Sequence, residues 1–255
     1  MSYNIQVGIE SRRYHHYVTG AWRHFLPCEK RQGNLNRIAE LVRDYDLVGI
    51  QEADGGSYRS GFVNQVEYLA DKAGFPFWHH QVNRRIGRIA RHSLGLLSRL
   101  PLAEVIEHRL PGAIPGRGAL SVRLGAGPET LLVVIVHLAL GKPTRARQIV
   151  HLGELLRDEP HAILLGDMNF KSESGEMRRL VSLTGLRQPA HGLFTHPSWR
   201  PVRNIDHILV SPTLSIGSVE VPDHPVSDHL PVAASVSLPR RLRLGSDGHT
   251  PAGSG

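Results

Sequence analysis

Three apolar runs in this chain break off abruptly into polar residues, and that pattern constrains the fold more than any other feature. Leu47-Val48-Gly49-Ile50 runs into Gln51-Glu52, Leu131-Leu132-Val133-Val134-Ile135-Val136 into His137, and Ala162-Ile163-Leu164-Leu165 into Gly166-Asp167-Met168-Asn169. Short apolar runs bounded in this way read as buried strands. Polar groups at the ends of such strands collect where clefts form in layered α/β proteins. Two further polar motifs, Asn204-Ile205-Asp206-His207-Ile208 and Ser227-Asp228-His229-Leu230-Pro231, lie near the C-terminus. Carboxylates, amides and imidazoles meeting at strand ends have the make-up of a metal-assisted hydrolase site rather than of a core.

A chain of 255 residues buries one substantial core without requiring a second. With 40% hydrophobic and 21% charged residues, it falls in the ordinary globular class. The longest apolar stretch, Leu131 to Val136, is too short to span a bilayer, and the N-terminus lacks a signal-peptide pattern. Cys28 is the single cysteine, which excludes an intrachain disulfide and fits a cytoplasmic setting. The net charge of +7 and pI near 10 suit a polyanionic partner such as nucleic acid or an anionic lipid surface. An arginine-rich composition without such a partner is the plain alternative. The densest basic cluster is Arg84, Arg85, Arg88 and Arg91. It falls in a stretch with little strand or helix patterning, and reads as a phosphate-gripping loop or a solvated one.

Along the chain, Tyr3 to Val7 reads as a first strand and residues 11–31 as a long loop. Asn34 is a candidate cap for a helix carrying Leu35, Ile38, Leu41 and Val42 on one face. A strand over Leu47–Gln51, a Gly55-Gly56 loop and a helix using Phe62, Val66, Leu69 and Ala73 follow. Further strands are expected over Ser93–Leu97, Ala119–Leu124, Leu131–His137, Ala162–Leu165, Ile205–Val210, Ile216–Val221 and Val232–Val236. Thr144 is the expected cap of a helix bearing Ile149, Leu152, Leu155 and Leu156. This order predicts two packed sheets with helices outside. The tail from Arg240 to Gly255 has no apolar pattern and is expected to be disordered, leaving residues 1–239 as the domain.

Residue by residue, Glu52 and Asp228 are hard oxygen ligands suited to Mg²⁺ or Mn²⁺, with a solvated strand-end carboxylate as the competing reading of Glu52. Gln51 ends a buried strand and needs a polar partner. In Gly166-Asp167-Met168-Asn169 the glycine permits a turn, and Asp167 and Asn169 project to one side of an extended segment. They would hold a nucleophilic water and a phosphoryl oxygen; an Asx-type turn is the competing reading. His137 leaves the core at a strand end, as a catalytic imidazole or a hydrogen-bonded structural one. Asp206 and His229 can pair, the carboxylate fixing the tautomer and raising the imidazole's basicity.

Together these motifs resemble the endonuclease/exonuclease/phosphatase superfamily, in order, from Tyr3-Asn4-Ile5 to Ser227-Asp228-His229. The resemblance implies an α/β fold of the α+β kind, a four-layer sandwich of two packed mixed sheets flanked by helices. It also implies a divalent-metal phosphoesterase site. On that resemblance Glu52 is the principal metal ligand with Asn4 and Asp228 nearby, and Asp167 and Asn169 position nucleophile and phosphate. His137 faces the scissile phosphate, and Asp206 and His229 form the family's dyad. A protonated His137 or His229 would donate to phosphate; Asp167 and the Asp206–His229 dyad both remain candidate bases. Arg145 and Gln148 fit a looser pattern with a structural share.

The histidine in Val136-His137-Leu138 resembles the deoxyribonuclease, sphingomyelinase and bacterial hydrolase branches rather than the abasic-site endonucleases. Thr195-His196-Pro197-Ser198-Trp199 likewise resembles the bacterial group. Met168 stands where an aromatic residue is commoner, and the first strand begins abruptly, being short or preceded by further chain. The leading expectation is a phosphoesterase acting on a phospholipid headgroup or another non-nucleic phosphoester, without an obligate protein partner. A Mg²⁺-dependent nuclease and a non-catalytic binding module are the alternatives. Trp22, Phe25 and Leu26, beside Arg23 and His24, would permit peripheral contact with the inner membrane face or pack over the core.

Overall fold

The strand Leu131–His137 is buried along its whole length because it is covered on both faces. Leu131, Val133 and Ile135 belong to one apolar cluster and Leu132, Val134 and Val136 to another, the period of two that a strand imposes. The first cluster lies between two sheets and the second lies under helices, so this strand sits at the centre of a layered molecule. The computed structural model describes residues 1–8, 29–112, 116–125, 129–189 and 193–244.

The first half of the chain contributes β1 (Ser2–Asn4), α1 (Glu29–Val42), β2 (Leu47–Asp54), α2 (Gln65–Ala73), β3 (Phe77–Ile86), β4 (Ala90–Ser98) and β5 (Leu102–Arg109). The second contributes β6 (Gly118–Leu124), β7 (Leu131–His137), α3 (Lys142–Leu156), β8 (Ala162–Asp167), α4 (Gly175–Thr184), β9 (Asp206–Val210), β10 (Ser215–Glu220) and β11 (Ala233–Ser237). One sheet has the order β1-β2-β4-β3, the other β5-β6-β7-β8-β9, and β10 and β11 form a separate pair. A bridge from Ser2 to Val232 joins that pair's approach to β1. Both sheets mix parallel and antiparallel neighbours: β1 with β2 and β7 with β8 run parallel. Leu35, Ile38 and Val42 of α1 and Val66, Leu69 and Ala73 of α2 cover the first sheet. Ile149, Leu152 and Leu156 of α3 and Met177 and Leu180 of α4 cover the second. The architecture is the four-layer α/β sandwich implied by the motifs.

Several expectations shift. The first strand is Ser2–Asn4 rather than Tyr3–Val7, because the chain turns tightly at Gln6–Gly8 with Gln6 and Val7 at positive φ. Asn34 does not cap α1, which begins at Glu29; Asn34 lies inside the helix and donates to the Gly8 carbonyl at 3.0 Å. Of the loop expected over 11–31, the part to residue 28 lies outside the described residues, as do Trp22, Phe25, Leu26 and Cys28. Phe62 is 61% exposed and precedes α2, whose cap is Asn64 accepting from the Val66 amide. Thr144 lies within the first turn of α3, and Gly141 is the residue that caps it. The arginine cluster is patterned after all: Arg84 and Arg85 lie on β3 and Arg91 on β4, around a hairpin turn that carries Arg88. Leu242, beyond the expected domain end, is buried in the inter-sheet core, and residues 245–255 lie outside the described residues. Among the described residues no helix is long and apolar enough to cross a membrane.

Arg145 and Gln148 are structural. The Arg145 guanidinium reaches Glu176 of α4 and the carbonyls of Ala139 and Leu140. Gln148 accepts from the Ala139 amide and donates to the Pro111 carbonyl. The segment that follows β7 is thereby stapled to both helices.

The end of β2 is fixed by a single buried carboxylate. Asp54 accepts from the amide and hydroxyl of Ser57, the Ser60 hydroxyl, Arg59 Nε and the Arg91 amide. The Asp54 and Arg59 side chains are 0% and 3% exposed. Burial alone would raise the carboxyl's pKa, but the Ser57 and Arg59 hydrogen bonds outweigh it and hold the group below its ordinary value. Removing one partner of a buried pair strands the other, so Asp54→Ala is expected to cost about 3–5 kcal/mol, read by urea unfolding. The folded pKa lies below the unfolded one. The contribution is therefore complete above the unfolded value of about 4 and is lost as pH falls through the folded value. The gap between wild type and Asp54→Ala should accordingly narrow in acid.

Candidate active site

The register of the second sheet sets His137, Asp167 and Asp206 side by side. His137 of β7 pairs with Asp167 of β8, and Asp167 pairs with Asp206 of β9. Their parity places them on the face between the sheets: Ile135, Leu165 and Ile208, each two residues away on its own strand, all belong to the inter-sheet core. In the first sheet Tyr3 packs under the helices, so Asn4 faces the other way. Its Nδ2 donates to Asp167 Oδ2 at 3.2 Å. Glu52 lies where the β2–β4 register slips, with φ at +55°. The slip turns its carboxylate toward His137 Nε2 at 3.7 Å.

Asp167 is 2% exposed and receives groups from four directions. His137 Nε2 lies 3.4 Å and His229 Nε2 3.9 Å from Oδ2, and the Asn169 amide donates to Oδ1 at 3.0 Å. Asn169 does not share an extended segment with Asp167: its φ is +56° and its Nδ2 donates to the Leu138 carbonyl. The motif is thus the Asx-type turn, with Asn169 also set beside the cleft. Gly166 has φ +146°, and a Cβ there would sit 2.0 Å from the Val136 carbonyl oxygen, so the turn that presents Asp167 requires glycine.

His229 closes the group from the C-terminal side. Its Nδ1 donates to Asp206 Oδ2 at 2.8 Å, and the same oxygen accepts from the Thr195 hydroxyl. Ser227 orders the loop, donating to the Asn4 carbonyl at 2.7 Å and accepting from the His229 amide. His196 stacks at a tilt over His229, with ring centres 4.7 Å apart, and its Nε2 lies 3.9 Å from Asp228 Oδ2.

The two imidazoles that face Asp167 are driven in opposite directions. Burial by itself lowers His229, but Asp206, Asp167 and Asp228 carry its pKa well above the ordinary value. Burial and then the Arg117 guanidinium hold His137 well below it. A guanidinium has only N–H donors, so the contact between Arg117 Nη1 and His137 Nε2 makes that nitrogen the acceptor. These neighbours push His137 toward the neutral form and His229 toward the cation. Burial, with Asp206 and Glu52 adding to it and His229 opposing, raises Asp167 to about 7.

Glu52, Asn4 and Asp228 offer hard oxygens on one side of this group. Burial and then the Asp228 charge raise Glu52, so carboxylates gather here in excess of the cations that face them. That donor set fits Mg²⁺ or Mn²⁺. Among the described residues two trios of donor atoms lie within 4.8 Å of one another, His196 with Asp228 and His229, and Asp167 with Asp206 and His229. Glu52 lies outside both, turned toward His137.

All eight residues expected from the sequence meet around this cleft. Arg117, Thr195, His196 and Ser227 were not given roles. Thr195, His196 and Ser227 stand inside motifs already visible as such, whereas the signal for Arg117 is only its place between Gly116 and Gly118.

The model of the endonuclease/exonuclease/phosphatase family matches residues 1–229. No curated protein matches the chain. Among solved structures, the endonuclease/exonuclease/phosphatase from Beutenbergia cavernae DSM 12333 is 18% identical with a TM-score of 0.72, covering 93% of this chain and 70% of that one. The mannosyl-6-phosphatase Bt3783 of Bacteroides thetaiotaomicron VPI-5482 is 19% identical with a TM-score of 0.66, covering 93% and 98%. The human Nocturnin catalytic domain with bound sulfate anion is 16% identical with a TM-score of 0.66, covering 83% and 87%. At these identities the likeness is one of fold.

A divalent ion held by the folded site and not by the unfolded chain raises stability, by about 2.7 kcal/mol at a hundred times its Kd. Mn²⁺ is expected to raise the melting temperature of the wild type and to lose most of that effect in Glu52→Gln, as followed by scanning fluorimetry.

Proposed function

The chain belongs to the endonuclease/exonuclease/phosphatase family, and on that premise we propose that it is a divalent-metal-dependent phosphoesterase. It hydrolyses a phosphodiester or phosphomonoester with an activated water. The observation that carries this reading is the row His137, Asp167 and Asp206, closed by His229 through Asp206. Nucleophile, charge stabiliser and orienting carboxylate are all within reach of one point in a cleft. A phosphatase and a catalytic domain holding a sulfate anion among the similar structures support a site for a tetrahedral oxyanion.

Asp167, with its carboxyl raised into the neutral range, takes the proton of the attacking water. Asp206 holds the Nδ1–H of His229, so the imidazolium presents Nε2–H to a phosphoryl oxygen. Asn169 stands beside that oxygen. Mg²⁺ or Mn²⁺ at Glu52, Asn4 and Asp228 would offset the charge that gathers on the phosphoryl oxygens in the transition state. His137, pushed toward the neutral form by Arg117, stands beside Glu52 and Asp167 with its Nε2 accepting from the guanidinium. The preferred substrate is a non-nucleic phosphoester, a phospholipid headgroup among them, because the cavity that opens beside Glu52 and His137 is of small-molecule size, about 460 Å³.

The test is hydrolysis of bis(p-nitrophenyl) phosphate and p-nitrophenyl phosphate with Mg²⁺ or Mn²⁺. Asp167→Asn and His229→Gln are expected to lose at least about 10²-fold in kcat with an unchanged circular dichroism spectrum. Turnover close to wild type in either folded variant rejects the assignment. Supercoiled plasmid is expected to stay intact; metal-dependent nicking that Asp167→Asn abolishes would make the protein a nuclease instead.

A further inference from the structure

Beyond Glu52 and His137 the cleft continues into a cavity of about 460 Å³, whose lining includes Arg84, Arg117 and His92 and, across from the start of β6, Ala139 and Leu140. We propose that this extension binds a second phosphate group, so that the substrate is a small phosphoester carrying two phosphates, one cleaved at Asp167 and one gripped by Arg84 and Arg117. The proposal rests on the phosphoesterase reading and narrows its substrate class.

Arg84 is the clearest sign. It is exposed on the polar hairpin arm, and among the described residues its guanidinium has neither a hydrogen bond nor a carboxylate partner. An arginine on a cavity wall without a partner is a ready site for an anion, because its fork matches phosphate oxygens. Its stem is seated rather than loose. Gly116 has φ +122°, and a Cβ there would come within 3.1 Å of Arg84 Cβ and Cδ. The bare backbone at Gly116 is thus what lets β3 lie close enough to aim Arg84 into the cavity.

Arg117, the next residue, links the two halves of the cleft. It touches His137 Nε2 and feels the charges of Glu52 and Asp167, while also lining the cavity. Among the described residues Glu52 is the only carboxylate in that lining, so the extension is basic once a metal is held at the acidic end. Burial, then Arg59, with Asp54 opposing, and then Arg84 and Arg117 lower His92 to about 4. Its imidazole is therefore neutral at physiological pH and donates one N–H without taking up a proton. Leu140, 75% exposed, gives the cavity an apolar lip for the body that joins the two phosphates. A pocket of this volume suits a single small molecule, whereas a nucleic-acid strand needs an extended groove.

The experiment is calorimetric titration with thymidine 3′,5′-bisphosphate and thymidine 5′-monophosphate, a pair differing by one phosphate. Wild type is expected to bind the bisphosphate about tenfold more tightly, the worth of one charge-assisted contact. Arg84→Ala should reduce that preference to about twofold or less. Arg85→Ala, which removes an equal charge from the neighbouring position outside the cavity, should keep it. Equal affinity for the two nucleotides, no binding of either, or a preference that survives Arg84→Ala overturns the proposal. An oligothymidylate that binds more tightly than the bisphosphate and loses this in Arg84→Ala replaces the small molecule with a strand. Hydrolysis of bis(p-nitrophenyl) phosphate by the same preparation separates the two readings. The binding preference without hydrolysis keeps the anion subsite and removes the phosphoesterase, and hydrolysis without the preference does the reverse.

Discussion

Everything at the cleft depends on one buried carboxylate being made tolerable at the rim of an apolar interface. Asp167 is 2% exposed, directly above the leucine and isoleucine side chains that glue the two sheets together. An unpaired charge in such a place would be neutralised or expelled. It stays because Asn4 reaches across from the other sheet, the Asn169 amide turns back on it, and two imidazoles flank it. The Asn4 contact is also a polar bond between the sheets, so the geometry of the core and that of the cleft constrain each other.

The same cleft shows how one protein makes two histidines chemically different. His229 has Asp206 behind it and Asp167 in front, and is pushed toward the cation despite its burial. His137 has Arg117 beside it and is pushed toward the neutral form. Groups whose neighbours drive them apart in this way are suited to different roles. The identity of each neighbour, rather than burial, decides the outcome, since both imidazoles are buried to a similar degree.

The interior strands are legible in the sequence because both of their faces are covered, which demands unbroken apolar runs such as Leu131–Val136. The strands β3 and β5 are not, and both are edges, at the ends of the orders β1-β2-β4-β3 and β5-β6-β7-β8-β9. With one side and part of a face open to solvent, Phe77–Ile86 tolerates histidines and arginines that hide its strand character. Helix α4 was also missed, although Ser174 caps it and Gly185 ends it, a signal that capping logic would have found. Asn34 misled for the opposite reason: its side chain serves a carbonyl in another segment instead of its own helix. In the site, the residues carried by ordered motifs were visible even where edge strands or loops deliver them, as with Asn4, Asp206, Asp228 and His229, whereas Arg117 was not, and Arg84 was visible only as a member of a basic cluster. Their roles come from a tertiary approach across glycine, for which a linear pattern holds no signal.

The loop that carries His229 is tied by Ser227 to the carbonyl of Asn4, 223 positions earlier in the chain, and Val232 is bridged to Ser2. Such pairing makes the site depend on contacts that span almost the whole domain, the kind that are slow to form in folding. At roughly 5–20 residues per second, a ribosome works for on the order of ten seconds or more between making Asn4 and making its partner. Through that interval the short first strand is complete and has nowhere to finish docking. A nascent chain therefore leaves that edge of β1 without its Val232 partner until the segment that carries His229 has been made.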